Sequence, residues 1–482
     1  MPSPLEALEW NRANGHLVRA DSEHYLLHVP TTAVFGLDAT GLAILELCRE
    51  RGGLTLDAMV ARLAGRYAPA EVRSLAAELR TLEVLQPAGR LRPINPAATH
   101  VSAYPLSTLV LNVNTGCNLS CTYCYKEDLA KPAQGHKMDF VTAARSVDLL
   151  LRAGAARERL NIVFFGGEPL TNVPLIQQVT AYAEAQAGRA GKAIDFSLTT
   201  NATLLTPALI EYFDAHRFGI SVSMDGPKEL HDRHRSSVGG RGTYDVVARK
   251  VRLLLQRYRS RPVGARVTLG RGNAEVERIH AHLRAELGFH EVGYAPVTSG
   301  ADESHALSQQ ELTEVHQAFE RLGEDYRRAA LRGENNGFSN MHQLMADLHE
   351  GRRKSLPCGA GVGLLAVDGA GDLNLCHRFT GSDLPTFGNV VAGIDGAQLG
   401  AFIEKAIDRE GTHCETCRIR NLCAGGCYHE SYARFGDPHH RTYHYCDLLR
   451  RWVDFGVRVY ADIRRHNPAF FSNHLEPRSV PA

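Results

Sequence analysis

The pattern of hydrophobic and polar positions changes at Leu106. From there to about residue 298, short apolar runs alternate with longer segments in which apolar residues recur every three or four positions. The short runs are typical of buried strands and the longer segments of helices packed on a sheet. Six such units predict an α/β domain with a parallel sheet, smaller than a closed eight-unit barrel. The predicted strands are STLVLNVNT, LNIVFFGG, AIDFSLTTN, GISVSMDG, ARVTLGRG and EVGYAPVTS.

The first 95 residues follow a different pattern. The segment GHLVRADSEHYLLHV predicts two strands around a polar turn. Three helical segments follow, each with periodic apolar positions and a Gly or Pro stop. A hairpin with three short helices predicts a small winged-helix-like domain. The segment RLRPINPAATHVSAYP contains three prolines, and it predicts an extended linker that we place at residues 96–105.

Length and composition limit the interpretation further. A chain of 482 residues is expected to form about three domains. We place them at residues 1–95, 106–345 and 346–455, with a terminal helix and tail at 456–482. The 54 basic and 53 acidic residues nearly balance, so the overall charge does not indicate nucleic acid or an anionic membrane surface as a partner. The chain shows neither a signal peptide nor an apolar span of membrane length, so a cytoplasmic location is expected.

Three cysteines share one loop after the first predicted strand. Cys117, Cys121 and Cys124 have the spacing C-x3-C-x2-C. Three thiolates can hold a [4Fe-4S] cluster and leave one iron open to a small chelating molecule. Taken alone, they would suit a zinc site or a disulfide cluster about as well. Downstream, the second predicted strand ends in Gly166-Gly167-Glu168-Pro169, a glycine turn at which backbone can approach a ligand closely.

Together these two elements resemble the signature of the radical S-adenosylmethionine (SAM) superfamily. The resemblance implies a partial (β/α)6 barrel with its active site at the carboxyl ends of the strands. It also implies that the three cysteines hold a SAM-binding [4Fe-4S] cluster, with Tyr123 as the aromatic residue usual before the last of them. Gly166, Gly167 and Glu168 would hold the amino group of SAM. Further candidates for contacts to its ribose or carboxylate are Asn201, Ser223, Asp225 and Arg235.

A second cysteine array lies in the last third of the chain. Cys358 and Cys376 precede a C-x2-C-x5-C-x3-C run, and Cys446 follows it. The array resembles the SPASM domain of radical SAM enzymes that act on peptides, although a zinc ribbon is the alternative. The resemblance implies two auxiliary clusters, so that the enzyme would contain three [4Fe-4S] clusters. The ligand sets it implies are Cys414, Cys417, Cys423 and Cys446 for one cluster, and Cys358, Cys376 and Cys427 for the other, which would keep an open iron able to bind a substrate thiolate.

The N-terminal domain admits three interpretations. Winged-helix units often bind DNA, but no concentrated Lys/Arg face is present here. The unit also resembles the leader-recognition domains of enzymes that modify ribosomally made peptides, in which the leader adds a strand to a sheet edge. A purely structural cap is the third interpretation. The expected partners are a peptide or small protein with a leader and a flavodoxin- or ferredoxin-type electron donor, with a processing protease as a further candidate and no nucleic acid or membrane.

Longer segments such as HVPTTAVFGLD and SVSMDGPKELHDRHR resemble the quinohemoprotein amine dehydrogenase maturation proteins. The resemblance implies an oxidoreductase that uses a 5′-deoxyadenosyl radical to form intrapeptide thioether bonds. Each bond would join a cysteine sulfur to the side-chain methylene of Asp or Glu in the dehydrogenase small subunit. An anaerobic sulfatase maturase that makes formylglycine, another sactipeptide-like maturase and a peptide-binding scaffold without turnover are the alternatives.

Three residues are candidates for the base that accepts a proton from the substrate. The sulfatase maturases use an Asp directly after the auxiliary cysteine, but this chain has His377 there. Neutral imidazole can accept a proton near neutral pH. His377, Asp368 and Asp372 are therefore the candidate bases.

Overall fold

The computed structural model describes residues 6–20, 23–51, 53–95, 106–124, 135–297, 303–441 and 444–476. The predicted linker at 96–105 lies outside the described residues, as does the end of the predicted tail. The strands are β1 Leu8–Trp10, β2 Gly15–Ala20, β3 Glu23–His28, β4 Ala33–Leu37, β5 Leu85–Pro87, β6 Thr108–Asn114, β7 Arg159–Gly166, β8 Ala193–Thr200, β9 Gly219–Ser223, β10 Val263–Leu269, β11 Glu291–Pro296, β12 Leu364–Val367, β13 Leu373–Asn374, β14 Gly388–Asn389 and β15 Gly393–Ile394. The helices are α1 Ala39–Arg51, α2 Leu56–Leu63, α3 Pro69–Thr81, α4 Phe140–Ala153, α5 Val173–Arg189, α6 Pro207–Ala215, α7 Lys228–His234, α8 Tyr244–Arg257, α9 Val276–Ala281, α10 Gln309–Leu331, α11 Ser339–His349, α12 Gly396–Ile407, α13 Arg420–Cys423, α14 Tyr428–Phe435, α15 Cys446–His466 and α16 Ala469–His474.

An eight-stranded sheet forms the centre of the molecule. Its strand order is β11-β10-β9-β8-β7-β6-β12-β13, and β6 to β11 are parallel neighbours in chain order. Both faces of β6 are buried, as in Leu109, Val110 and Leu111. Continuous apolar runs of this kind are expected where helices cover both faces of a parallel sheet. The predicted partial (β/α)6 core is confirmed.

Two strands from the cysteine-rich region extend this sheet. β12 pairs in parallel with β6, with Leu365 opposite Leu109, and β13 pairs antiparallel with β12. The sequence pattern did not predict them, because strands of four and two residues carry no detectable period. Because of this pairing, the cysteine-rich domain and the barrel share one sheet.

The helices shift two predicted domain boundaries. The boundary at residue 345 falls inside α11, and the boundary at residue 455 falls inside α15. A helix is one continuous hydrogen-bonded unit, so each boundary belongs beyond the end of its helix. Helix α15 packs against α10 and α11 and also contacts β2, β3 and β4, so it belongs to the body of the molecule.

The N-terminal domain has its own apolar core. The predicted hairpin is β2 and β3, and the three predicted helices are α1, α2 and α3. Two features were not predicted: β4 adds a third antiparallel strand, and β1 pairs with β5. Both involve short segments, and the exposed Gly36 weakens the strand signal of β4. Cys48 is 2% exposed in this core, and burial raises the pKa of its thiol to about 12.

A buried arginine attaches the N-terminal domain to the cysteine-rich domain. Arg420, in α13, is 1% exposed and donates hydrogen bonds to the carbonyl oxygens of Ala13 at 2.5 Å and Ile94 at 2.8 Å. Its Nε donates to Oδ1 of Asn95 at 2.7 Å, and the next residue, Asn421, donates to the carbonyl of Val29 at 2.9 Å. A guanidinium has five donors, and several oxygens of the N-terminal segment therefore satisfy it together.

Within the described ranges, no helix is long and apolar enough to cross a membrane.

Candidate active site and cysteine clusters

A cavity of about 400 Å³ lies at the carboxyl ends of the barrel strands. We call it the main cavity because the predicted site residues line it. Its volume falls within the range of about 300–1,000 Å³ that is usual for small-molecule sites. The position agrees with the rule that ligands bind at the carboxyl ends of strands in parallel α/β folds. The predicted site residues that line it are Cys117, Cys121, Tyr123, Cys124, Gly166, Gly167, Glu168, Asn201, Ser223, Arg235 and His377.

The three cysteines of the first loop converge in this cavity. Burial raises the pKa of Cys117 to about 12 and that of Cys121 to about 11, and each of these thiols senses the charge of its neighbours in the loop. The backbone N–H of Leu119 and Nδ2 of Asn201 donate to Sγ of Cys117 at 3.3 and 3.7 Å. Desolvated thiols of this kind become thiolates when a metal binds them. This donor set fits an iron-sulfur cluster.

The glycine pair is required by close backbone packing. Gly166 has a φ of +143°, and a Cβ atom there would lie 2.1 Å from the carbonyl oxygen of Asn114. A Cβ atom on Gly167 would lie 2.2 Å from the carbonyl oxygen of Gly116. Both distances are far shorter than any real contact, so only glycine fits. The end of β7 therefore lies directly against the loop that carries the cysteines.

Glu168 connects the ends of two strands from a buried position. Its carboxylate accepts hydrogen bonds from Thr200 Oγ1 and Asn201 N, both at 2.7 Å, and from Leu170 N at 3.1 Å. Burial raises the pKa of this carboxyl to about 7, and the three hydrogen bonds oppose the shift. The side chain thus positions Asn201 beside Cys117 as well as facing the cavity.

Asp225 has a different place from the one predicted. It is fully buried and does not line the cavity, because its carboxylate accepts from Nε of Arg235 at 2.8 Å and from Thr268 N at 3.0 Å. The hydroxyl of Tyr123 also donates to it. Asp225 therefore positions Arg235 and Tyr123, and those two side chains face the cavity.

The remaining cysteines that were predicted as cluster ligands form two groups. Electrostatic interactions connect the thiols of the first group, Cys358, Cys376 and Cys427. Others connect those of the second group, Cys414, Cys417, Cys423 and Cys446. The second group lines a separate cavity of about 330 Å³. Their members are those of the two ligand sets that the resemblance to the SPASM domain implies, and their role as cluster ligands stays a prediction.

Arginines surround the four-cysteine group. Arg409, Arg420 and Arg441 are 4%, 1% and 9% exposed, and each interacts electrostatically with at least one of these cysteines. Arg450 hydrogen-bonds Cys417 and thereby has a raised pKa. Positive charge of this kind compensates a cluster of thiolates, so the surroundings fit an anionic metal centre. Sequence reasoning missed this shell, because its members are dispersed and follow no motif.

The candidate bases separate in space. The ring centroids of His377 and Phe165 are 4.2 Å apart, and both residues line the main cavity. Asp368 accepts from the backbone N–H of Ala370 and Asp372, and so closes the turn between β12 and β13. Asp372 accepts from Asn389 at 2.7 Å. Of the three candidates, His377 lines the cavity, Asp368 closes the turn, and Asp372 binds Asn389 of β14. Two cavity arginines, Arg266 and Arg378, were not predicted.

Comparison with known families agrees with this geometry. Residues 111–284 match the radical SAM superfamily, and this span contains the cysteine loop and the glycine turn. This part of the chain is a radical SAM domain. Residues 23–85 match coenzyme PQQ synthesis protein D (PqqD), and this span contains β3, β4 and the three helices of the N-terminal domain. This radical SAM enzyme therefore carries a PqqD-like domain.

Related sequences and structures extend over much of the enzyme. The serine-type anaerobic sulfatase-maturating enzyme of Klebsiella pneumoniae is 27% identical over 348 residues, which cover 70% of this chain and 85% of that protein. Native anSMEcpe with bound AdoMet superposes with a TM-score of 0.61 at 19% identity, covering 77% of this chain and 99% of that one. SuiB of Streptococcus suis bound to precursor peptide SuiA gives a TM-score of 0.53 at 14% identity, covering 91% and 99%. The two structures share the fold.

Proposed function

We propose that this radical SAM enzyme forms thioether crosslinks in a ribosomally made peptide or small protein. The substrate proposed first is the small subunit of quinohemoprotein amine dehydrogenase, in which a cysteine sulfur would be joined to the side-chain methylene of Asp or Glu. The observation that carries the proposal is the composition of the main cavity. It is lined both by the cysteine loop and by His377 and Arg378, which directly follow Cys376. The segment that directly follows Cys376 thus reaches the cavity that the cysteine loop lines, which supports a reaction that uses both.

The residues present suit the cofactors. Cys117, Cys121 and Cys124 would hold the SAM-binding cluster, and Gly166–Glu168 with Asn201, Ser223 and Arg235 would hold SAM. When bound and reduced, this pair supplies a carbon-centred radical that removes a hydrogen atom from the substrate. The two other cysteine groups would hold auxiliary clusters, one with four thiolates and one with three. A group of three leaves a position at which a substrate sulfur can bind, and that cluster would accept the one electron released when the substrate radical and the thiolate form the C–S bond.

The chain's own residues would bind, orient and exclude water. Asp225 holds Arg235 and Tyr123 at the cavity wall, and Glu168 holds Asn201 beside Cys117. His377 would accept a proton from a substrate thiol. Fixed groups of this kind cost little reorganisation when the substrate enters.

The PqqD-like domain supports a peptide substrate with a leader. Its strand β4 is an outer strand of the sheet, and Phe35 on it is 40% exposed. A leader can pair with such an edge through backbone hydrogen bonds. SuiB, a structural neighbour, was solved with its precursor peptide. A flavodoxin- or ferredoxin-type donor would supply the electron.

Formylglycine formation is the second candidate, because several sequence relatives are sulfatase-maturating enzymes. In that family an Asp follows the auxiliary cysteine, whereas His377 does so here. The difference favours thioether formation.

Mass spectrometry of the reaction product tests the proposal. The reconstituted enzyme is incubated anaerobically with SAM, a reductant and the small-subunit precursor. Replacing one S–H and one C–H bond by a C–S bond removes two hydrogens per crosslink, and tandem spectra should place each bond between a Cys and an Asp or Glu. An aldehyde product would favour the sulfatase reaction, and an unmodified precursor would reject both.

The triple variant C117A/C121A/C124A should form no 5′-deoxyadenosine, while C48A, which alters a buried thiol outside the clusters, should retain turnover.

A further inference from the structure

Arg266 projects from the middle of the barrel into the main cavity. It lies on β10, opposite Ser223 of β9 and Gly293 of β11. Its guanidinium passes over Gly293, where a Cβ atom would lie 2.7 Å from Nη1. The side chain is exposed to the cavity and helps to line it. The glycine on the neighbouring strand therefore leaves the space that the guanidinium occupies.

A second arginine approaches the same place from another domain. Arg378 lines the cavity from the segment after β13, two residues beyond Cys376. Burial lowers the pKa of Arg266, Glu291 opposes this shift, and the positive charge of Arg378 adds to it. The two cations are thus close enough to repel each other. Arg378 also acts on the buried carboxylate of Glu430, so an anion bound in the cavity would chiefly compensate the charge of Arg266.

Arg266 differs from the third arginine of the cavity. Arg235 is bound to the buried carboxylate of Asp225, with Nε and Oδ2 2.8 Å apart. By contrast, no carboxylate in the described part of the chain forms an ion pair with Arg266. A guanidinium that faces a partly desolvated cavity in this way is suited to a planar, bidentate anionic ligand.

We propose that Arg266, with Arg378 beside it, binds the side-chain carboxylate of the Asp or Glu that becomes crosslinked. The inference rests on the proposed function and adds the group that selects an acidic side chain over an amide or a hydroxyl. A carboxylate held here lies in the same cavity as the SAM-binding cysteines and close to the segment that carries Cys376. The methylene next to the carboxylate is then presented to both sites.

The carboxylate of SAM is the competing ligand for Arg266. Both ligands offer the same chemistry, but they differ in what a loss of the guanidinium affects. A site for SAM would lose SAM affinity, whatever the peptide. A site for the peptide would lose the distinction between Asp and Asn.

Peptide binding to the reconstituted enzyme, with SAM and without reductant, tests the inference. The probes are two fluorescein-labelled leaderless peptides that contain one Cys and differ only in one Asp or Asn. A charge-assisted bidentate contact predicts a preference of about tenfold or more for the Asp peptide. R266Q should remove the preference, R266K should retain part of it, and R249Q, on the exposed surface of α8, should leave it unchanged.

Three results would overturn the inference: no preference in the unmodified enzyme, an undiminished preference in R266Q, or a fall in SAM affinity in R266Q with the preference kept. G293A is the second variant, because its methyl group displaces the guanidinium without removing it; it should lower the preference if R266Q does not fold. A preference without any crosslinked product would reject the proposed function and leave the carboxylate site intact. Crosslinks without a preference would reject only the carboxylate site.

Discussion

At the scale of single residues, two buried carboxylates near the cavity serve different purposes. Glu168 accepts three hydrogen bonds from neutral donors, and burial still raises its pKa to about 7. Asp225 instead has the guanidinium of Arg235 as a counter-ion at 2.8 Å. Glu168 orders the ends of β7 and β8, while Asp225 orders two cavity side chains. The motif alone predicted Glu168, but Asp225 was predicted in the wrong place, since a strand-end aspartate can face either side of the turn.

E168Q should weaken SAM binding by about tenfold or more. Its amide nitrogen would face donors that now bind a carboxylate oxygen, which costs roughly 1–3 kcal/mol for each buried group left unsatisfied. Asn201 would then lose its fixed place beside Cys117. Equilibrium dialysis with labelled SAM measures the change. The matched control is E158Q, an exposed position just before β7. Equal affinities in the two variants would contradict this role for Glu168.

His280 should make the protein less stable as the pH falls. Burial lowers the pKa of this histidine to about 4, and its Nδ1 lies 3.1 Å from the hydroxyl of Tyr294. As the pH falls, the unfolded chain, in which the pKa of a histidine is about 6.5, binds the extra proton first. The contribution of neutral His280 to the free energy of unfolding is therefore complete above pH 6.5 and is lost as the pH falls toward 4. The slope is about 1.4 kcal/mol per pH unit.

Thermal unfolding between pH 7 and pH 5 checks this prediction. Between pH 6.5 and pH 5, the free energy of unfolding should fall by about 2 kcal/mol less in H280Q than in the unmodified protein. H466Q changes a histidine whose side chain is 55% exposed, and it should behave as the unmodified protein. Identical pH dependence in H280Q would show that His280 does not contribute.

At the scale of secondary-structure elements, two short segments determine how the domains join. β12 extends the barrel sheet beside β6, and α13 presents Arg420 and Asn421 to the N-terminal domain. Both contacts use backbone groups, so little sequence pattern marks them. Since α13 follows Cys417 and ends at Cys423, the segment that supplies the four-cysteine group also fixes the PqqD-like domain.

R420K should loosen the N-terminal domain. A lysine has fewer donors and cannot reach several oxygens at once, so we expect a loss of about 3–5 kcal/mol, as when one partner of a buried charged network is removed. Limited proteolysis should release the N-terminal domain faster from R420K than from R451K, which changes an exposed arginine of α15. The same digestion rate in both variants would mean that Arg420 does not maintain the interface.

At the scale of the whole molecule, the sheet, the cavity and the cysteine groups form one continuous arrangement. The barrel supplies the proposed SAM site, the cysteine-rich domain supplies His377 and Arg378 to the same cavity, and the PqqD-like domain attaches beside the four-cysteine group. A peptide bound by its leader would thus be held on the same body that carries out the chemistry.

Reconstitution should yield about twelve iron per chain if each cysteine group holds a [4Fe-4S] cluster. C358A/C376A/C427A should lose about four iron, and the same loss is expected when the four-cysteine group is altered. C48A serves as the control and should bind the full amount. Iron analysis with EPR of the reduced protein measures the result. A value near four in the unmodified enzyme would remove both auxiliary clusters from the proposal.

The sequence by itself determined the parts of this protein that are local. The cysteine loop and the glycine turn predicted the SAM site through their resemblance to a known signature, and alternating apolar runs predicted the six-strand core, because a loop or a strand is encoded by neighbouring residues. The tertiary structure alone decided what distant segments do together. Arg409, Arg420, Arg441 and Arg450 come from separate segments, and Arg266 meets Arg378 only when β10 and the chain after β13 close around one cavity. No spacing records such meetings, because they depend on packing and on the burial of charge.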